Sequence, residues 1–461
     1  MRKGQAIPPI LALTLTFALI VWLFSLHGTR GLLHVEFVFG IGLVVLTVLG
    51  MLPLALSLAG HFAHARPASR PRFRASVAVI SSLVIIISLG GFGYVSGFPQ
   101  PRSAESTPRL IVAASTGAKG LPDLAVVAES ARAIQYTLTW GKDGPQSVVK
   151  EAQPSKEHAF MLQDLEPATE YRYKLNDGQE FHFSTPGVGT AALHFAVGSD
   201  AHFGATDSRN DLTERMLAQI ADPASRFDYF FSLGDNVEFG FRPEQWKKAQ
   251  AAFAPMVSVV PSTFVAGNHD ALFTGLGRYL AYGYPVGAEL ENGTRLWRRF
   301  DVGKVHFIVI DVEWSAETLT KEQAAWLETE LKSIPTEDWT IVMNHGFYYG
   351  SGSVVRGWKW YDNKETIHRV TPLFEKYGVD LVFSGHAHQM ELLQKDGVTY
   401  VINGAFGGIP DPDRSYISPA SLWYKAGEYG YADVIVDGPI ATVRLKNEDG
   451  VELKSLVVEK R

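Results

Sequence analysis

"VDLVFSGHAHQM", residues 379–390, decides how this chain is read. Val379–Phe383 is a short apolar run with the look of a buried strand. Gly385 follows, where the backbone can come close to a neighbour, and then His386 and His388 stand two residues apart. If the strand runs through the pair, both imidazoles point to the same side. The pattern asks whether they are ligands, and of how many ions.

Other clusters of the same kind lie upstream. From about residue 190, strand-like runs at Leu193–Gly198, Tyr229–Leu233, Ser262–Ala266, Val305–Ile310, Thr340–Met343 and Leu381–Phe383 alternate with helical ones at Asp211–Ile220, Lys321–Leu331 and Val370–Tyr377. That is an α/β pattern, and such folds place ligands beyond the strand ends. Further β-like runs follow at Thr399–Ile402, Ala432–Val436 and Ala441–Leu445. Directly after the strands come Asp200-Ala201-His202, Gly234-Asp235, Gly267-Asn268-His269-Asp270, Asn344-His345 and Gly385-His386-Ala387-His388. Each motif alone is weak. Five in one order, holding five of the 14 histidines, are not explained by structural histidines and turns. Imidazole with carboxylate favours Zn, Fe, Mn, Co or Ni over Ca. The ligands outnumber the needs of one ion, and two ions about 3.5–4 Å apart call for a bridging carboxylate.

The remainder of the 461-residue chain divides by composition. Residues 7–26, 37–60 and 76–98 are uncharged apolar runs, each long enough for a bilayer core that roughly 20 helical residues cross. Residues 1–98 are therefore expected to hold three transmembrane helices, the first retained as an anchor because no A-x-A cleavage pattern follows it. Arg2, Lys3 and the arginines 66, 70, 72 and 74 place the N-terminus and second loop in the cytoplasm, leaving everything after Phe98 on the extracytoplasmic side. Residues 1–105 carry eight Lys/Arg and two Asp/Glu, so a chain of net charge −6 leaves −12 on the rest, which argues against nucleic acid as a partner. The absence of cysteine fits a domain held by its core rather than by disulfides. Residues 99–107 form a polar, Pro-containing linker. Residues 108–187 alternate in short β-like runs such as Ala133–Trp140 and Glu170–Leu175, the pattern of a small β-sandwich.

Asp-x-His, Gly-Asp, Gly-Asn-His-Asp, a later His and Gly-His-x-His, in that order, resemble the calcineurin-like binuclear metallophosphoesterases over roughly 193–445. The resemblance implies a four-layer α/β (α+β) sandwich of two mixed sheets flanked by helices, occupying 190–461. It implies that Asp200, His202 and His388 hold one divalent or trivalent ion, that Asn268, His345 and His386 hold a second, and that Asp235 bridges them. His269 would face the substrate as leaving-group acid or transition-state donor, with Asp270 orienting its ring. The implied activity is hydrolysis of a phosphate ester by a hydroxide held between the ions.

The order of β-sandwich and catalytic domain, and the stretch Leu373–Asp380 before Gly385-His386, resemble the purple acid phosphatases. Leu165–Tyr173 likewise resembles the late strands of fibronectin type III domains. Two residues depart from that subgroup. Glu238 stands where it has a tyrosine ligand, and His202 occupies a position where it lacks histidine, so no iron–tyrosinate centre is expected. Glu238 is expected at the surface or in a supporting role. The aromatic loop Phe347–Ser353, Arg356 and Trp358–Tyr361 are candidates for substrate contact, against a bland reading as self-packed loops. His194 and His306 read as structural, His368 as flanking a helix, and the sequon at 292–294 matters only in a glycosylating pathway. Three apolar spans raise a lipid-linked phosphate as one substrate class. The competing expectations are an inactive metal-binding sensor coupled to the membrane and, weakest, a transporter with an accessory domain, since the spans hold no charge.

Overall fold

The computed structural model describes residues 107–461 apart from 114–116, 118, 145, 190–191, 285–293, 313–318 and 356–357, together with Val79, Leu83 and Ile86, which are helical and exposed. Among the described residues no helix is long and apolar enough to cross a membrane. The expected spans 7–26, 37–60 and 76–98 lie outside the described residues apart from those three positions, as do nearly all of the linker, Arg356 and most of the sequon. Residues 101–271, 275–313 and 317–461 form one compact unit.

Its first seven strands are β1 (Arg109–Val112), β2 (Leu124–Ile134), β3 (Thr137–Gly141), β4 (Ser147–Lys150), β5 (Ser155–Leu162), β6 (Glu170–Leu175) and β7 (Phe181–Ser184). Four of them make a sheet in the order β4-β3-β6-β7. Strand β6 buries Tyr171, Tyr173 and Leu175 and turns Glu170 and Arg172 to solvent, as period-two alternation requires. The other three do not close on themselves. They continue a nine-stranded sheet, because β1 pairs in parallel with β10 (Ser262–Phe264), setting Ile111 opposite Ser262. The sandwich expected at 108–187 is thus built onto the next region without a break in the sheet. A hydrogen bond from the Tyr173 hydroxyl to the Ser258 carbonyl, 2.8 Å, ties the four-stranded sheet to it as well.

Strands β8 (Leu193–Gly198), β9 (Tyr229–Ser232) and β10 run parallel at the centre of the nine-stranded sheet. Its far edge is β20 (Gly430–Asp437), β21 (Ile440–Asn447) and β22 (Glu452–Glu459), β20 pairing antiparallel with β8. The second sheet combines β11 (Arg298–Val302), β12 (Val305–Val309), β13 (Trp339–Met343), β16 (Leu381–Ser384), β17 (Met390–Lys395), β18 (Val398–Asn403) and β19 (Ser421–Lys425), in the order β11-β12-β13-β16-β18-β17-β19. Strands β9, β12, β13 and β16 are buried along their whole length, which explains why they read as continuous apolar runs.

The two sheets stack face to face through aromatics. Phe195 of β8 meets Phe307 of β12 at 5.4 Å between ring centroids, and Phe231 of β9 meets the same ring at 5.0 Å. The outer faces are covered by helices. Met216, Leu217 and Ile220 of α1 (Asn210–Ala221) and Trp246, Ala249 and Phe253 of α2 (Pro243–Val257) share a core with Ala196 and Phe230. On the other side Leu327 and Leu331 of α4 (Lys321–Ser333) pack with Ile308, Val342 and Val382. This is the four-layer arrangement of two mixed sheets between helices. Two helices lie outside those expected from the sequence: α2, which opens with Pro243 at its first turn, and α3 (Gly275–Gly283).

Candidate metal centre

The strands deliver their polar residues to one place. Asp200 follows β8 by two residues, Asp235 follows β9, Asn268 and His269 follow β10, His345 follows β13 and His386 follows β16. Strand β16 ends at Ser384, so it does not run through the His-x-His pair. His386 instead turns into the left-handed region at φ 68°, joined by Asp200 (64°), His202 (47°) and Asp235 (51°). Non-glycine residues in that region cost about 1–3 kcal/mol each and persist where the surroundings over-determine them. The turn separates His386 from His388, and the two go to different partners.

Asp200, His202 and His388 form one group, and Asp235, His345 and His386 another; within each, one ligand atom per residue lies within 4.8 Å of the others. Asn268 joins the second, its Oδ1 being 3.0 Å from His345 Nε2. Asp235 Oδ2 lies between the groups, 3.6 Å from His202 Nε2 and 3.2 Å from His345 Nε2. The other oxygen of each aspartate is held by the backbone: Asp235 Oδ1 accepts from His269 N–H at 2.8 Å, and Asp200 Oδ2 from His386 N–H at 2.9 Å. Gly385 makes this approach feasible, since a Cβ there would fall 1.8 Å from Ser199 Oγ and 2.7 Å from Asp200 Oδ2.

The tautomers follow from the outer contacts. His345 Nδ1 lies 2.7 Å from the Leu233 carbonyl, His388 Nδ1 2.6 Å from the Ile409 carbonyl and His202 Nδ1 2.8 Å from Glu238 Oε2. These oxygens only accept, so each Nδ1 carries a proton, and each ring when neutral offers its Nε2 lone pair to the centre. His202 Nε2 and His388 Nε2 then face each other at 3.2 Å, and Asp200 Oδ1 is buried with no hydrogen-bond partner. Bare lone pairs at that separation repel one another, whereas a cation coordinated by both removes the repulsion and satisfies Asp200. The two buried carboxylates draw positive charge in any case. Burial disfavours a charged ring at His345, yet Asp235 and Asp200 overcome it and hold that group up to about 9. Burial and the charge of His345 push His386 the other way, to about 3. Metal ions supply the same positive charge with neutral rings, and the nitrogen and oxygen donor set fits them.

One residue sits differently from expectation. Asp270 does not orient the ring of His269. Its carboxylate is fully buried and turned inward, accepting from Val237 N–H (3.2 Å), Gly267 N–H (3.1 Å) and Asn236 Nδ2 (3.0 Å). Burial and the nearby Asp235 charge push it up to about 6. The ring of His269 is held by the main chain instead, its Nδ1 donating to the Glu238 carbonyl at 2.7 Å, and it lies 4.7 Å from the His202 ring. Glu238 takes the supporting role among its two expected ones, reaching the centre through His202.

Asp411 escaped the sequence reading, since Pro410-Asp411-Pro412-Asp413 has the composition of an ordinary loop. Its carboxylate accepts from His388 N–H at 2.9 Å. The Trp360 ring lies 4.7 Å from His386 and Phe347 lies 6.2 Å from it, forming one wall of the centre. His194 pairs with Asp433 at 2.9 Å, and His306 lies between Asp301 (2.8 Å) and Asp338 (3.3 Å), all away from the centre.

Residues 193–390 match the calcineurin-like phosphoesterase family. Purple acid phosphatase 18 of Arabidopsis thaliana is 23% identical over 297 residues, covering 60% of this chain and 65% of that protein. Probable purple acid phosphatase 20 of the same plant is 27% identical, covering 59% and 66%. Probable inactive purple acid phosphatase 24 is 26% identical, covering 59% and 49%. The chain thus spans between about half and two thirds of the length of these curated relatives. A purple acid phosphatase from yellow lupin seeds superposes with a TM-score of 0.65 at 18% identity, covering 77% of this chain and 74% of that one. The covered part of the chain therefore shares that fold.

Proposed function

We propose that this chain is a metal-dependent phosphoesterase that hydrolyses phosphate esters. The observation that carries the proposal is Asp235 Oδ2, set within 3.6 Å of His202 and 3.2 Å of His345, between two groups of buried and half-buried ligands. Asp200, His202 and His388 would hold one ion, Asn268, His345 and His386 the other, with Asp235 shared. When bound, such a pair supplies Lewis acidity toward the phosphoryl oxygens and a water-derived nucleophile near neutral pH. His269 keeps its Nδ1 proton on the Glu238 carbonyl, which leaves Nε2 to meet the leaving oxygen or the developing charge. Phe347 and Trp360 limit the approach of water on the His386 side.

The test uses the full chain, chromogenic phosphate mono- and diesters, and Mn, Fe, Zn, Co or Ni ions. Asp235→Asn is expected to lose activity and bound metal. His269→Ala is expected to keep its metal while kcat falls about 10²–10⁴-fold. Undiminished turnover by either folded variant would sink the assignment. Several relatives carry the name "probable inactive", and complete inertness of the wild-type chain with every metal and ester would favour the sensor reading.

The wider reading adds three parts. The uncharged runs 7–26, 37–60 and 76–98 anchor the chain in the cytoplasmic membrane, with the phosphoesterase domain outside. Strands β1-β2-β5 and β4-β3-β6-β7 form a fibronectin III-like element, supported by the strand orders and by Tyr171, whose hydroxyl accepts from Glu166 N–H at 2.8 Å at the corner before β6. A lipid-linked phosphate ester is the substrate class such an anchor suits. Equal or faster turnover of soluble esters than of lipid phosphates in micelles would remove that last part.

A further inference from the structure

Glu238 stands in the turn after β9, and its contacts go beyond a surface role. Its backbone N–H donates to the Phe203 carbonyl at 3.1 Å, binding this turn to the Asp-x-His loop. The two loops are already laced together, His202 N–H donating to Asp235 O and Phe203 N–H to Asn236 O, both at 2.9 Å. The Glu238 carboxylate therefore arrives beside His202 on a rigid backbone, with Oε2 2.8 Å from Nδ1. Its main-chain carbonyl separately takes His269 Nδ1 at 2.7 Å, while Oε2 stays 3.6 Å from that nitrogen. Side chain and main chain of one residue thus serve two different histidines.

The anchor of His202 differs in kind from those of its neighbours. His345 and His388 are held by the main-chain carbonyls of Leu233 and Ile409, which the fold fixes and a side-chain substitution leaves in place. His202 is held by an ionisable side chain. A carboxylate on Nδ1–H makes a charge-assisted bond, restrains the ring and raises the donor strength of Nε2. The group Asp200–His202–His388 thus depends, through His202, on a carboxylate outside it.

Resting on the two-metal reading, we propose that Glu238 is a positioning residue that sets the metal affinity of the Asp200–His202–His388 group alone. It acts through His202 and does not touch the reacting atoms. The phosphoesterase's activity then depends on Glu238 through occupancy of one ion, while His269 keeps its main-chain anchor whatever side chain stands at 238.

Metal-free full-length chain, titrated with Mn²⁺ or Zn²⁺ by calorimetry, tests this in wild type, Glu238→Ala and Glu238→Gln. Wild type is expected to bind two ions. In Glu238→Ala one site weakens by about 10–100-fold and the other is unchanged. Glu238→Gln keeps an acceptor for Nδ1–H but loses the charge, so the same single site weakens by a smaller factor, about 3–10-fold. Activity of both variants returns to wild-type kcat at saturating metal, which a role in the chemical step would not allow. Wild type that binds fewer than two ions overturns the two-metal reading itself. Wild type that binds two, with both sites of the variants within twofold of it, overturns the role of Glu238 and leaves that reading intact. Should Glu238→Ala fail to fold, as judged by its metal-free melting curve, Glu238→Gln decides by the same criteria.

Discussion

Asp235 and Asp270 belong to neighbouring loops and use their carboxylates in opposite ways. Asp235 gives one oxygen to the backbone and turns the other to the histidines, whereas Asp270 gives both to Val237, Asn236 and Gly267. The account predicts that Asp270→Ala lowers stability rather than catalysis. It strands buried N–H donors, each worth about 1–3 kcal/mol, so a loss of about 3 kcal/mol is expected in chemical denaturation of the metal-free chain. Where folded, the variant should keep kcat within a few-fold of wild type, and a kcat loss as large as that of His269→Ala would restore Asp270 to the chemistry. The difference between the two aspartates was not legible in the sequence. Residue type and a place after a strand pointed to both; which way each turns depends on donors 33 and 34 residues away. The histidines were more legible, because structural histidines rarely gather at the ends of successive strands. Their division between two groups needed the left-handed turn at His386.

At the scale of elements, the hairpin of β14 (Ser353–Val355) and β15 (Trp358–Trp360) carries the aromatic wall beside His386. Sequence reading saw only an aromatic loop there, since two three-residue strands give too little alternation to recognise. The hairpin's base is fixed by Asp362, which accepts from Gly350 N–H at 3.1 Å, Ser418 Oγ at 2.7 Å and the Tyr416 hydroxyl. Below it, the fully buried Glu391 accepts from Ser351 N–H at 2.8 Å and Ser351 Oγ at 2.6 Å. Asp362→Ala is expected to loosen the hairpin while the sheet beneath stays intact. Limited proteolysis should cut between residues 352 and 361 about tenfold faster than in wild type, since cleavage follows the population of the opened segment. An unchanged cleavage rate would mean that the hairpin is held by its own aromatics.

Across the whole molecule, the legible part was the layered α/β core. Runs such as Tyr229–Ser232, buried throughout, announce strands covered on both faces. The continuity of the nine-stranded sheet was not legible, because nothing in Arg109–Val112 names Ser262 as its neighbour. The strands before residue 190 and the two stacked sheets after it share one apolar cluster that runs from Leu110 and Val126 through Phe195 and Phe231 to Phe383. A fragment starting at residue 190 would bare the edge of β10 and part of that cluster. It is expected to aggregate or to melt well below a fragment starting at residue 101. Equal melting temperatures and solubility for the two fragments would show that the sandwich is a separable module.

The central claim is that five strand-end clusters hold two ions, and that both are needed for phosphate-ester hydrolysis. It is tested most directly by measuring the hydrolysis rate of a chromogenic phosphate ester while metal-free full-length chain is loaded with counted equivalents of metal. The account predicts almost no turnover until the second equivalent binds, and a plateau at two per chain. Full activity with no metal, or a plateau at one equivalent, would contradict it.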